Sequence, residues 1–241
     1  MDQILLVALV FLLAGTCKGL IGLGLPTVSV GLLALVMPPA EAAALLLVPS
    51  FVTNIVQAAG PALRDLLRRL WPMLLALLPG TLAGSQVIAA GSAALPALGL
   101  ALLAYAAWGL ATPPLRLPPR LERGTALPVG LAGGLVTGAT GVFVIPVVPW
   151  LTALGLPRDA LVQALGLFFL AATIALGAAL ALQGVVTPGL AGGSVLALAP
   201  ALLGQWAGAR LRTRLPAPAF RTAFFVALLL LGAQLAWRGL A

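Results

Sequence analysis

Gly15-Thr-Cys-Lys-Gly19-Leu-Ile-Gly22-Leu-Gly24-Leu-Pro26 breaks the first apolar run of the chain, and Gly134-Leu-Val-Thr137-Gly138-Ala-Thr-Gly141-Val-Phe-Val-Ile-Pro146 breaks another in the same way. Gly15, Gly19 and Gly22 recur as Gly134, Gly138 and Gly141 at a constant offset of 119, and a proline follows each cluster. Glycine permits positive φ and close backbone approach. Unwound backbone at membrane depth is tolerated only where protein buries it or it lines a cavity. Paired interruptions in corresponding halves of a membrane protein point to a transporter's binding site.

The surrounding composition places these breaks in a bilayer. The 241 residues are 62% hydrophobic and 7% charged, with a mean hydropathy of +1.17, a balance outside the soluble range. Apolar stretches of spanning length recur along the chain, at roughly 3–36, 40–59, 70–90, 94–111, 126–156, 160–182, 187–208 and 219–237. They do not alternate apolar and polar residues as barrel strands would. The expected fold is therefore an all-α polytopic membrane protein. The N-terminus lacks a positive n-region and reads as the start of the first membrane segment.

The halves match beyond the breaks. Met37-Pro-Pro39-Ala-Glu41 resembles Leu156-Pro157-Arg-Asp159, Pro79 and Gly84 resemble Pro200 and Gly204, and both halves end in an Ala-Trp pair at Trp108 and Trp237. The Pro- and Arg-rich stretch between them cannot be helical throughout. The division is 1–112 as first membrane repeat, 113–125 as cytoplasmic linker and 126–241 as second repeat.

Charge sets the topology. One set of loops holds Arg64, Arg68, Arg69, Arg116, Arg120, Arg123, Arg158, Arg210, Arg212, Arg214 and Arg221, while the loops at 37–40, 91–95 and 183–187 hold no Lys or Arg. The positive-inside rule places the first set in the cytoplasm. That requires segments 3–36 and 126–156 each to return to the face they entered from. The arms of the first, 3–17 and 26–36, reach only about 22 and 16 Å, short of a bilayer. Each half then holds one re-entrant hairpin and three transmembrane helices. Three crossings are odd, so the second repeat is inverted and the two glycine tips meet near the midplane. Both termini lie outside, with Arg238 the exception to the charge bias.

A tip between half-helices exposes N–H groups and the positive end of a helix dipole, which favour an anion. Gly19, Gly22, Gly24 and Thr27 present such a surface from one side, and Thr137, Gly138, Thr140 and Gly141 from the other. Tight helix packing is the alternative use of the same glycines. Lys18 is the one ionisable side chain placed clearly at depth, and such a residue is functional by default. It is read as counter-ion for an anionic substrate, with snorkelling to the interface as the bland alternative. In the second segment Ser50, Thr53, Asn54 and Gln57 form a polar stripe at spacings of three and four. Asn54 and Gln57 join the candidate substrate-binding set, while Gln163 and Thr173 occupy the matching helix of the second half. Trp71, Trp108, Trp150 and Trp237 read as interfacial anchors.

At these residues the chain resembles the sulfite exporter TauE/SafE family of membrane permeases. The resemblance rests on the two Gly-rich motifs, on Thr53-Asn54, and on the Pro79 to Gly84 and Pro200 to Gly204 elements. It implies transport of small sulfur-containing anions such as sulfite or organosulfonates. Members typically carry a glycine doublet or triplet at each tip, where this chain has Gly22-Leu-Gly24 and Gly141-Val-Phe143.

Other functions fare worse. The net charge of +8 is explained by the basic loops, so nucleic acid is not an expected partner. There is no histidine, a single cysteine, Cys17, and no carboxylate at depth, so no metal, cofactor or catalytic residue is expected. An intramembrane enzyme of the lipid-pyrophosphatase type and a passive anion channel remain as alternative readings. The expected partners are a small anionic substrate and the lipid bilayer of a bacterial inner membrane, with a homodimer left open.

Overall fold

The computed structural model describes residues 3–91, 93–111, 116–212 and 217–240. Residues 112–115 of the linker region, Asp2 and Arg214 lie outside the described residues. The described residues form eleven helices and no strand: α1 (Gln3–Ile21), α2 (Leu25–Leu33), α3 (Pro39–Leu45), α4 (Leu47–Ala58), α5 (Leu63–Ala90), α6 (Ala94–Ala111), α7 (Pro119–Thr140), α8 (Val147–Ala153), α9 (Arg158–Leu182), α10 (Pro188–Leu211) and α11 (Ala217–Leu240). Six of them, α1, α5, α6, α9, α10 and residues 220–239 of α11, are long and apolar enough to cross a membrane. Leu182, Leu196, Leu230 and Trp237 stand well exposed on their outer faces, as lipid-facing side chains do. The molecule is a multi-pass helical membrane protein.

Each apolar segment read from the sequence is helical, and prolines open many of the helices. Pro26, Pro39, Pro119 and Pro188 sit in the first turn of α2, α3, α7 and α10, where a missing N–H costs nothing. The two glycine breaks end their helices alike. Gly22 N–H donates to Lys18 O at 2.7 Å, and Gly141 N–H donates to Thr137 O at 2.8 Å. Gly24 (φ 106°) and Gly141 (φ 70°) adopt left-handed backbone that a side chain would strain.

A third break separates α3 from α4, which meet at 48°. Pro49 has no N–H for Leu45 O, so the helix cannot run through. Ser194 on α10 repairs the gap: its hydroxyl donates to Leu45 O at 2.8 Å and accepts from Val48 N–H at 3.0 Å.

The helices pack in pairs through small residues. A side chain added at Gly15 or Gly19 of α1 would overlap the carbonyl oxygens of Ala201 and Gln205 on α10, and one at Gly204 or Gly208 would overlap those of Leu12 and Thr16. Gly134 and Gly138 of α7 bear in the same way on Leu77 and Thr81 of α5, while Gly80 and Gly84 bear on Leu131 and Leu135. In both pairs residue numbers rise together, so the helices run parallel. Helix α4 runs antiparallel to α9, with Gly166 against Gln57 and Gly60 against Gln163. Helix α6 runs antiparallel to α11, with Gly99 against Ala236 and Gly109 against Phe225. Bilayers supply little hydrophobic drive between helices, so this close backbone approach is a main source of cohesion.

The basic ends of the helices gather on one face. Arg69 and Glu122 form a bidentate ion pair at 2.5 and 2.8 Å, Arg221 donates to Gly109 O at 3.0 Å, and Gln163 Oε1 accepts from Ala62 N–H at 3.1 Å. On the opposite face Gln3, Met37, Glu41 and Gly189 line one cavity of about 400 Å³. The start of α1 and the segment after α2 therefore share that face. Arg238 also lies there and donates to Leu35 O at 3.0 Å, so this exception to the charge bias binds the carboxyl end of the α2 region.

Three details depart from the sequence reading. Helix α1 runs through Gly15 and Gly19 to Ile21, about 28 Å, so its return is not forced by length. Those glycines stay helical because their bare faces dock on α10. Helix α7 begins at Pro119, so residues 119–125 of the linker are its first turns. Trp150 is buried rather than interfacial, its indole N–H donating to Thr125 Oγ1 at 2.9 Å.

Candidate functional site

Lys18 lies in the last turn of α1 and is 4% exposed. Side chains lean toward the N-terminal end of their helix, which carries this one back from the tip into the protein. Its Nζ donates to Thr53 Oγ1 at 2.9 Å and to Asn54 Oδ1, both on α4. Each partner is held in turn. The Thr53 hydroxyl donates to Pro49 O at 2.7 Å, the carbonyl one turn back. Asn54 Nδ2 makes a long contact of 3.5 Å to Thr173 Oγ1 on α9, and the Thr173 hydroxyl donates to Phe169 O at 2.7 Å. Asn54 and Thr173 are separated by 119 residues, the spacing of the glycine breaks.

Thr173 fixes the depth of this group. It lies roughly 22 Å along α9 from Arg158 and 14 Å from Leu182, so the polar cluster sits near the middle of that span. The glycine tips lie elsewhere. Gly19 abuts Gln205 and the Ala209 backbone, close to the end of α10 at Leu211, and Gly138 abuts Thr81 and Ser85, toward the end of α5. The first tip thus lies toward the basic face and the second toward the other. The nearest atoms to a side chain added at Gly141 belong to Ala43 and Val30, and at Gly24 to Phe224 and Cys17. The second tip therefore meets the first hairpin at its α2 arm.

Of the sequence candidates, Lys18, Asn54, Gln57 and Gly22 are brought together. Gln57 Nε2 donates to Gly22 O at 3.3 Å and to Val162 O at 3.2 Å, tying the first tip to α4 and α9. Thr27, buried, is the third residue of α2, in the first turn after Gly24. Gly19 and Gly138 are used as helix contacts. Thr140 Oγ1 donates to Val136 O at 2.6 Å and accepts from Val142 N–H at 3.1 Å, shaping the second tip from within. Thr137, the counterpart of Lys18 at the same offset, is buried with its hydroxyl unpartnered among the described residues, as are Ser50 Oγ and Gln57 Oε1. Thr53 and Thr173 stood in the sequence only as members of a polar stripe and of its matching helix. Their spacing from Lys18 and Asn54 was visible, but not that side chains join them.

The model of the sulfite exporter TauE/SafE family matches residues 7–235. The chain belongs to that family. No curated protein and no solved structure matches it. TauE/SafE proteins are membrane transporters, and in this TauE/SafE chain the match covers both glycine breaks, Lys18, Asn54 and Thr173.

Lys18 has hydroxyl and amide oxygens as partners, and α2, α4, α10 and α11 carry no Asp or Glu. Helix α2 begins after Gly24, and its N-terminal end carries a positive dipole.

Proposed function

We propose that this TauE/SafE protein is a secondary transporter, not an enzyme, for small anions of the sulfite or organosulfonate class, with Lys18 as the counter-ion of the bound substrate. The observation that carries this is a lysine at mid-depth whose hydrogen-bond partners are Thr53 and Asn54 and not a carboxylate. A buried charge without a counter-charge is costly, so it persists where a ligand supplies one. Asn54 and Gln57 orient the site. Gly22, Gly24 and Thr27 offer backbone from the first tip. Gly19 sets the closeness of α1 to α10, Gly138 does the same for α7 and α5, and Thr137, Thr140 and Gly141 form the corresponding second tip.

The architecture we infer is an inverted repeat, 1–112 and 126–241, each half one broken hairpin and three crossings. The helix pairing supports it. Exchanging the halves turns the α1–α10 pair into the α7–α5 pair, and maps α4–α9 and α6–α11 each onto itself. The clustered arginines support an orientation with the basic face on the cytoplasmic side of a bacterial inner membrane.

The test is uptake of labelled sulfite and a panel of small sulfonates into proteoliposomes, with and without an imposed proton gradient. Saturable flux with counterflow supports a carrier. A conductance that does not saturate would indicate a channel, and no flux of any of these anions through folded protein would remove the substrate class.

A further inference from the structure

We propose that Lys18 is also the proton-binding site of this transporter, so that a monovalent anion and one proton are taken up together as a neutral pair. This rests on the anion-site reading above and adds the coupling ion to it.

The inference comes from counting donors and acceptors. Lys18 Nζ faces two acceptors, Thr53 Oγ1 and Asn54 Oδ1. The Thr53 proton is committed to Pro49 O, so its oxygen is free to accept. Asn54 turns its Nδ2 toward Thr173, so its Oδ1 is the atom that meets Lys18. A neutral amine has two N–H donors and matches these two acceptors. An ammonium has three donors, which leaves one for an anion. The empty site is complete with the neutral amine, and the occupied site is complete with the ammonium plus an anion oxygen.

Among the described residues no carboxylate stands at this depth on the helices packed around Lys18 to balance a third proton. On α1 itself the neighbouring ionisable group is the Cys17 thiol, buried and facing Gly24. Helices α2 and α4 carry no ionisable side chain, α10 carries Arg210 and α11 carries Arg221 and Arg238, all near helix ends. On α9, which meets α4, the charged residues are Arg158 and Asp159 in the first turn. A permanent ammonium at this depth would be a bare charge whenever the anion left. The balance is simple: amine, solvent proton and anion combine to an ammonium–anion pair, no covalent bond forms, and the occupied site has the same net charge as the empty one. The protein can then pass between its two faces, loaded or empty, without moving an uncompensated charge through the bilayer.

The experiment is calorimetric titration of the full-length protein in detergent with methanesulfonate, repeated in buffers of different ionisation enthalpy. A sulfonate stays ionised throughout, so any proton taken up comes to the protein. The expected result is uptake approaching one proton per anion on the alkaline side of neutral, and uptake near zero in Lys18→Arg, whose guanidinium never gives up its proton. Binding by wild type without proton uptake at any pH overturns the inference and leaves the anion site standing. No binding of methanesulfonate or sulfite by folded wild type removes the anion site and this inference with it. Uptake of one proton that persists in a Lys18→Arg variant that still binds would place the proton elsewhere and equally overturn it.

Discussion

At the residue scale the proposed site rests on one amine. Lys18 is buried at the end of α1, where it is the one charged side chain, and among the described residues α4 supplies its acceptors. Removing the side chain should leave the fold intact, because the acceptors it abandons are weakly basic and α1 is held to α10 by glycines. Lys18→Ala is therefore expected to keep its thermal unfolding midpoint within a few degrees and to lose anion affinity about 10- to 100-fold, the worth of a charge-assisted hydrogen bond of about 1.5–3 kcal/mol. Wild-type affinity in this variant, measured by titration with sulfite, would exclude Lys18 from the site. What the sequence showed here was position: a lone lysine in an apolar run. It did not show that the side chain folds back to Thr53 and Asn54 rather than out to the interface, because both directions are open to a flexible chain until α4 is in place.

At the scale of elements the glycines separate into two kinds. Gly84 of α5 stands against the Leu135 backbone, and an added methyl would overlap its carbonyl oxygen. Gly124, exposed on α7, has nothing within 4 Å. Gly84→Ala should cost about 1–3 kcal/mol by forcing α5 and α7 apart, whereas Gly124→Ala should be neutral or stabilise by up to about 1 kcal/mol through helix propensity. Thermal unfolding of the two variants side by side checks this, and an equal effect would refute the division. The α3–α4 break offers a second test. Ser194→Ala removes the hydroxyl that serves both Leu45 O and Val48 N–H, leaving one buried and one part-buried backbone group without it. A loss of about 1–3 kcal/mol is expected, read as faster amide exchange around residues 45–48.

At the scale of the whole molecule the arrangement of faces is the testable matter. Arg69–Glu122, Arg221–Gly109 and Gln163–Ala62 bring the basic loops together, and Gln3, Met37 and Glu41 share the opposite side. A thiol placed at Ala40 should react with an impermeant maleimide added outside intact cells. One placed at Arg158 should react only after the membrane is opened. Cys17 is buried and should contribute little background. Labelling of Arg158→Cys from outside would overturn the proposed orientation.

The sequence by itself determined the class of the molecule, the place of its apolar segments, and the two glycine breaks, though not the break between α3 and α4. Composition, Gly–Pro clusters and the distribution of arginine are local properties, and a bilayer reads them segment by segment. The 119-residue recurrence was likewise open to inspection. Only the tertiary structure decided which glycines serve packing and which turn the chain. A glycine merely lacks a side chain; whether Gly15 and Gly19 end α1 or press it onto α10 depends on the neighbour that arrives, and α1 proved long enough to cross. The site was divided in the same way. Lys18, Asn54 and Gln57 were individually conspicuous, but the contact of Asn54 with Thr173 joins α4 to a helix of the other half, and no local rule fixes a partner that distant. In a membrane all helix faces are apolar enough to meet, so close fit of backbone to backbone makes the choice, and fit exists only once both surfaces are formed.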